Sequence, residues 1–307
     1  MKTGITSSVT QRHYDVFEGL EKLAECGFDC ADFALNTYTL KNFPEGSVHR
    51  VMYTDKWRDF ILRVRECGEK CGIGFYQAHA LWGLYTDMKE YIPPEEQYFR
   101  QIEAAALLGA ENLVFHPIPP TFRVESNEKK AEIMDYNIRW FGELIPCAEE
   151  YGVSIALENT FTHVENRPGD GLFPFATGES MRSLAEGLDS ERAVICLDTG
   201  HANVEYGKDL PSIVGEMGEK LRVLHVHDNF GQKEPLLSSD LHMFPGYGNS
   251  DIEGVCRELG RHGYRGVHSL EPSHLNMPKE RLDIALRSAS EMARYYAGIV
   301  ESSRGQS

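Results

Sequence analysis

Leu197-Asp198-Thr199-Gly200-His201-Ala202-Asn203 closes the apolar run Ala193-Val194-Ile195-Cys196-Leu197. A buried strand that ends in Asp-Thr-Gly-His puts an acid and an imidazole at its C-terminal tip. Two later stretches repeat that design, Val223-Leu224-His225-Val226-His227-Asp228-Asn229 and Gly266-Val267-His268-Ser269-Leu270-Glu271. Each is an apolar strand delivering a metal-type ligand as it ends.

Working outward, strand-like and helix-like segments alternate along the whole chain. Strands are expected at Lys2–Ser7, Phe28–Leu35, Ile73–Ala80, Asn112–His116, Val153–Glu158, the opening run, Leu221–His227 and Gly266–Glu271. Helices are expected between them at about Tyr14–Cys26, Trp57–Cys71, the segment from Pro93–Pro94 to Gly109, and Glu128–Tyr151 with a bend at Pro146. Further helices are expected at Gly178–Gly187, Asp209–Met217, Ile252–Leu259 and Pro278–Ala297. Eight strand–helix pairs without a break in composition predict an α/β fold, a single (β/α)8 TIM barrel over residues 1–301. Residues 302–307 read as a frayed C-terminal tail. A doubly wound open sheet is the alternative. No Gly-x-Gly-x-x-Gly or Gly-x-x-x-x-Gly-Lys follows any strand, and a barrel, unlike a sheet edge, brings the polar strand ends together.

Composition narrows the function. The 307 residues are 41% hydrophobic and 25% charged, as is ordinary for a soluble globular protein, and no run approaches the ~18 apolar residues that span a bilayer. The N-terminus shows no basic region followed by an apolar core. Seven cysteines are scattered. The pairs Cys26/Cys30 and Cys67/Cys71 read as free thiols rather than a metal framework, which fits a reducing cytoplasm. The net charge of −16 disfavours nucleic acid, whose binding depends on Lys and Arg at phosphates.

Glu158, Asp198, His227 and Glu271 stand at the ends of the last four strands. Three carboxylates and an imidazole suit a divalent metal, Mn²⁺ first, with Zn²⁺, Co²⁺ or Mg²⁺ as alternatives. Such a metal would stabilise an enediolate, and a ligand glutamate could exchange protons with the adjacent carbon. That is sugar isomerase or epimerase chemistry. Within His225-Val226-His227 both imidazoles could face inward, since residues two apart on a strand share a side. His227 is nearer the catalytic mouth and is preferred as the ligand, with His225 lining the pocket below.

The chain resembles the sugar phosphate isomerase/epimerase superfamily, the xylose isomerase-like barrels that also include endonuclease IV. Leu157-Glu158-Asn159, Asp198-Thr199-Gly200-His201, His225-Val226-His227-Asp228 and Leu270-Glu271 carry the resemblance. Gly27-Phe28-Asp29, Ala78-His79-Ala80 and His116-Pro117 add fainter matches. It implies Glu158, Asp198, His227 and Glu271 as metal ligands, Glu158 and Glu271 as the acid/base pair, and His201 as a substrate contact. His79, His116, His201, Asp240 and His242 match a multinuclear zinc centre of the endonuclease IV branch, so Asp240 and His242 are candidates for an additional metal. In a sugar enzyme His79, His116 and His225 would instead touch substrate, with Trp82 as a stacking lid. Alternatives are a lyase, dehydratase or deglycosidase of the same superfamily, a zinc nuclease, and a non-catalytic metal-binding barrel. The expected partner is a small sugar, with no nucleic acid and no membrane, and a homo-oligomer is a further expectation. Arg123 and Lys233 lie on catalytic-side loops where an anion could bind. His13, His49, His163, His262 and His274 read as surface or loop histidines, and Trp57 and Trp140 as packing residues.

Overall fold

The computed structural model describes residues 1–82, 85–161, 172–231, 240–273 and 277–306. Its frame is eight parallel strands: β1 (Thr3–Thr6), β2 (Cys30–Ala34), β3 (Gln77–His79), β4 (Asn112–Phe115), β5 (Ser154–Glu158), β6 (Ala193–Asp198), β7 (Leu221–His225) and β8 (His268–Leu270). β1 to β7 pair in sequence order, and β1 also pairs with β8. A single bridge from Val226 to Leu270 joins β7 to β8, with Val226 N donating to Ser269 O at 2.8 Å, so the sheet closes into the (β/α)8 TIM barrel.

The helices are α1 (Val16–Glu25), α2 (Trp57–Cys71), α3 (Glu96–Leu108), α4 (Asn127–Gly142), α5 (Ile145–Tyr151), α6 (Gly178–Gly187), α7 (Thr199–Tyr206), α8 (Ser212–Met217), α9 (Ile252–Arg261) and α10 (Lys279–Ser302). Local chemistry sets their ends. Asp15 caps α1 by accepting from the backbone of Phe17 and Glu18, and Glu18 reaches back to Asp15. Gly72 and Gly109 end α2 and α3 with φ of 83° and 88°, the left-handed region that a Cβ would penalise.

Strand period two separates two cores. Ile155, Leu157, Ile195, Leu197 and Leu224 point outward and pack under the helices. Val114, Ala156, Val194, Cys196 and Val223 form a separate small cluster that fills the barrel interior. Continuing the inward register of β5, β6 and β7 by one step reaches Glu158, Asp198 and His225. The apolar plug therefore sits beneath a polar mouth, and both follow from one alternation.

Three expectations change. The helix over Glu128–Tyr151 is not bent but divided, because Pro146 occupies the first turn of a new helix, α5, where its missing N–H costs nothing. A helix, α7, starts directly after β6, in a stretch for which no helix was expected. The tail is docked at its start: α10 runs to Ser302, Ser303 is buried, and Arg304 donates to Tyr264 O at 3.1 Å, while Gly305 and Gln306 are exposed. All seven cysteines are free thiols, and no described helix is long and apolar enough to cross a membrane.

Candidate metal centre

Four strand ends converge at the mouth. Glu158, Asp198 and His225 are the last residues of β5, β6 and β7, and Glu271 follows β8. One potential ligand atom from each lies within 4.8 Å of all the others. His225 Nδ1 is 3.2 Å from Glu158 Oε2 and 3.3 Å from Glu271 Oε2. His225 Nε2 donates to Asp32 Oδ2 at 2.8 Å, which leaves the Nδ1 lone pair aimed into the cluster. Gln77 Nε2 in turn donates to Asp32 Oδ2 at 3.1 Å and to Leu224 O at 3.2 Å.

The chemistry of this set fits a cation. Both Glu158 oxygens, Asp198 Oδ2, His225 Nδ1 and Glu271 Oε2 are buried without a hydrogen bond. Leaving several charged acceptors unsatisfied costs a few kcal/mol each, and a shared divalent ion removes that cost. Burial alone would raise the Glu158 carboxyl, but His116 and His225 overcome it and hold the group well below its ordinary value. Burial raises Glu271, and the neighbouring Glu158 charge adds to the rise against the opposing His225.

His225, rather than the expected His227, completes the group with Glu158, Asp198 and Glu271, and His227 falls in a neighbouring group. β7 ends at His225, because Val226 leaves it to bridge Leu270. Thr199 then clamps the next residue: its hydroxyl donates to His227 O at 2.8 Å and accepts from His227 N at 3.1 Å. The period-two rule therefore fails one step past the strand, and the His227 ring turns towards α7.

There it joins a second group. His201, His227, Asp240 and His242 also each offer an atom within 4.8 Å of the rest. Asp240 Oδ2 is 2.9 Å from His242 Nε2 and 3.4 Å from His201 Nε2, and Asp240 Oδ1 is 3.7 Å from His227 Nε2. The His227 and His242 rings stack at 3.9 Å. Both His227 nitrogens and Asp240 Oδ1 lack hydrogen bonds. Burial would lower His242, but Asp240 raises it to about 9. Asp198 stands between the groups, with Oδ2 2.9 Å from His227 Nε2. Its other oxygen caps α7 by accepting from His201 N at 2.7 Å, so Asp198 is both helix cap and candidate ligand.

The loop that carries Asp240 and His242 is held from below. Asp228 accepts backbone hydrogen bonds from Asn229, Gly246, Gly248 and Ser250 at 2.8–3.0 Å. A Cβ at Gly248 would lie 2.1 Å from Asn229 O, which accounts for a glycine there. His242 takes φ of 43°, unusual for a side chain with a Cβ, while its Nδ1 sits 2.9 Å from Glu271 O.

Around both groups lies a cavity of about 180 Å³, lined by His79, Trp82, His116, Glu158, His201 and Glu271 among others. His79 Nε2 and His116 Nε2 are 3.4 Å and 3.1 Å from Glu158 Oε2. Trp82 stacks on His116 at 5.9 Å with 66% of its surface exposed, as a lid residue would. Tyr91, from the same aromatic stretch, is instead packed against Arg139 at 3.6 Å. His13, His49 and His262 lie outside these groups, each bonded to a backbone carbonyl. His163, His274 and Lys233 lie outside the described residues.

Sequence reasoning passed over Asp32, Gln77 and the orienting role of Asn159, whose amide spans β5 and β6 by accepting from Asp198 N at 2.8 Å and donating to Asp198 O at 3.1 Å. Asp32 carried a usable signal, an acid inside the otherwise apolar strand Cys30–Ala34.

The chain is 31% identical over 205 residues to the uncharacterized protein MJ1311 of Methanocaldococcus jannaschii, which covers 62% of each chain. It therefore spans less than two thirds of that relative's length. It is 23% identical over 205 residues to an inosose isomerase of Bacillus velezensis, covering 67% of this chain and 69% of the other. Among solved structures, a D-tagatose 3-epimerase-like protein superposes with a TM-score of 0.69 at 24% identity, over 98% of this chain and 99% of that one. The family model of the xylose isomerase-like TIM barrel matches residues 20–294, so the chain belongs to that family.

Proposed function

We propose that this chain is a divalent-metal-dependent sugar isomerase or epimerase that moves a proton beside a carbonyl. The observation that carries the reading is the convergence of Glu158, Asp198, His225 and Glu271, whose buried, unsatisfied atoms lie within 4.8 Å of one another at the barrel mouth. Likeness to an inosose isomerase and to an epimerase-like structure supports the reaction class. A divalent ion held by these four residues would supply positive charge that stabilises the negative charge developing on the substrate oxygens. Mn²⁺ suits the oxygen-rich set, with Zn²⁺, Co²⁺ and Mg²⁺ as alternatives.

The protein's own groups divide the remaining work. Glu158 and Glu271 converge on the same space from two strand ends, and as the acid/base pair one takes the proton from the carbon beside the carbonyl and the other returns it. His79, His116 and His201 meet the sugar hydroxyls and Trp82 covers the ring. The expected ligand is a small sugar rather than nucleic acid, given a net charge of −16. Free thiols support a reducing, cytoplasmic setting.

One observation extends the reading: the His201–His227–Asp240–His242 group, with its own unsatisfied atoms, supports a second cation position. His201 and Asp198 would then serve both metal and substrate. The test of the acid/base pair is substitution of Glu158→Gln and Glu271→Gln, each checked for fold by circular dichroism. Turnover on a ketohexose panel is expected to drop about 10²–10⁴-fold in each. Near-normal turnover in either variant refutes the two-glutamate mechanism.

A further inference from the structure

The mouth has a second lobe that the reaction itself does not use. A cavity of about 540 Å³ opens beside the 180 Å³ one, and both are bounded by His79, Trp82, Asp240, His242 and Glu271. Ligand sites usually enclose roughly 300–1,000 Å³, so the smaller lobe is tight even for one sugar ring, and the two together make a site of ordinary size.

The larger lobe is built from the segments that follow β1, β2, β3 and β8. It sets the polar side chains of Ser8, Asn36 and Thr37 among the apolar surfaces of Leu40, Leu81 and Pro272. That mixture suits a ring with hydroxyls at its edge and C–H groups on its faces. Trp82 stands at the border of both lobes, stacked on His116 and exposed elsewhere. None of the described residues lining the larger lobe is a lysine or arginine, the usual partners of a phosphate or other anion.

We infer that the substrate is bipartite: a carbonyl-bearing sugar ring over Glu158 and Glu271, joined to a second, uncharged, ring-sized group such as another sugar. The inference rests on the reading of Glu158 and Glu271 as the reacting pair. It makes the larger lobe the specificity determinant, because binding energy from a remote group can be spent at the reacting centre.

Two measurements on Mn²⁺-loaded protein test it. Calorimetric titration compares methyl β-glucoside with cellobiose and needs no turnover. Steady-state kinetics compare the ring-oxidised (oxo) forms of the same two compounds. Cellobiose is expected to bind at least about tenfold more tightly, with the same preference in kcat/KM. Ser8 is solvent-exposed, so Ser8→Trp fills the lobe at little cost to folding, and it is expected to erase the preference. Leu40→Trp serves the same purpose if Ser8→Trp does not fold. Equal affinity for the two sugars, or a preference that survives in a folded, lobe-filled variant, overturns the inference. A cellobiose preference without turnover of either oxo compound upholds the lobe and refutes only the reaction. Turnover of both without preference refutes the lobe alone.

Discussion

Gly200→Ala separates the two metal-type groups with one methyl. A Cβ on Gly200 would lie 1.9 Å from His227 Cε1, 2.3 Å from Nδ1 and 2.7 Å from Nε2. Ordinary contact begins near 3.4 Å, so the ring must retreat by about 1.5 Å. His242, stacked at 3.9 Å, blocks part of that retreat. Metal ligands tolerate only about ±0.2 Å, so the second group is lost while the Glu158–Asp198–His225–Glu271 set has no atom in the clash. Overpacking of this kind costs about 1–3 kcal/mol. In a chain of 307 residues that lowers Tm by about 1.5–5 °C. The sign is informative, because glycine to alanine inside a helix such as α7 would otherwise stabilise by up to about 1 kcal/mol. Protein loaded with Zn²⁺, desalted and analysed by plasma mass spectrometry, is expected to hold about two equivalents in the parent and about one in Gly200→Ala. The double variant Gly200→Ala/His227→Ala relieves the clash and is expected to recover the lost Tm. An unchanged Tm and metal content in Gly200→Ala refutes the packing of His227 against Gly200.

Other perturbations address the remaining contacts. Asp32→Asn weakens the acceptor that orients His225 and is expected to reduce affinity for the metal about 10–100-fold in a chelator competition, with unchanged affinity ruling out the orienting role. His225→Ala is expected to abolish turnover and the first metal, whereas His227→Ala removes only the second; the reverse pattern restores His227 as the principal ligand. Burial pushes His268 down to about 4 from 6.5, so the folded protein excludes a proton that the unfolded chain binds. Its contribution is complete above pH 6.5 and is lost as pH falls through about 4, amounting to about 3 kcal/mol. Urea titrations at pH 7.5 and 4.5 should show a smaller pH-dependent loss in His268→Leu than in the parent, and equal losses would dismiss His268 as a source.

The barrel was legible because both of its periods are local. Apolar alternation marks the strands, glycines such as Gly72 and Gly109 mark the helix ends, and the polar residue closing each strand falls on the inward register. The same alternation brought Glu158, Asp198 and Glu271 out of the sequence. The choice between His225 and His227 was not local. It depends on where β7 stops, and the Val226–Leu270 bridge and the Thr199 hydroxyl decide that from elsewhere in the chain. α7 was hidden for a related reason. Thr199-Gly200-His201-Ala202-Asn203 is a poor helix former, and the Asp198 cap and burial impose the helix. The tail from Ser302 reads as free polar chain until Arg304 is seen bonded to Tyr264.

The central claim, proton transfer beside a carbonyl by Glu158 and Glu271, is tested most directly by incubating Mn²⁺-loaded protein with a ketose and oxo-glycoside panel in deuterated water, read by NMR. Deuterium is expected at a single carbon adjacent to the carbonyl, with isomerised or epimerised product, and neither is expected in Glu158→Gln. Turnover that leaves every carbon-bound hydrogen unexchanged contradicts it.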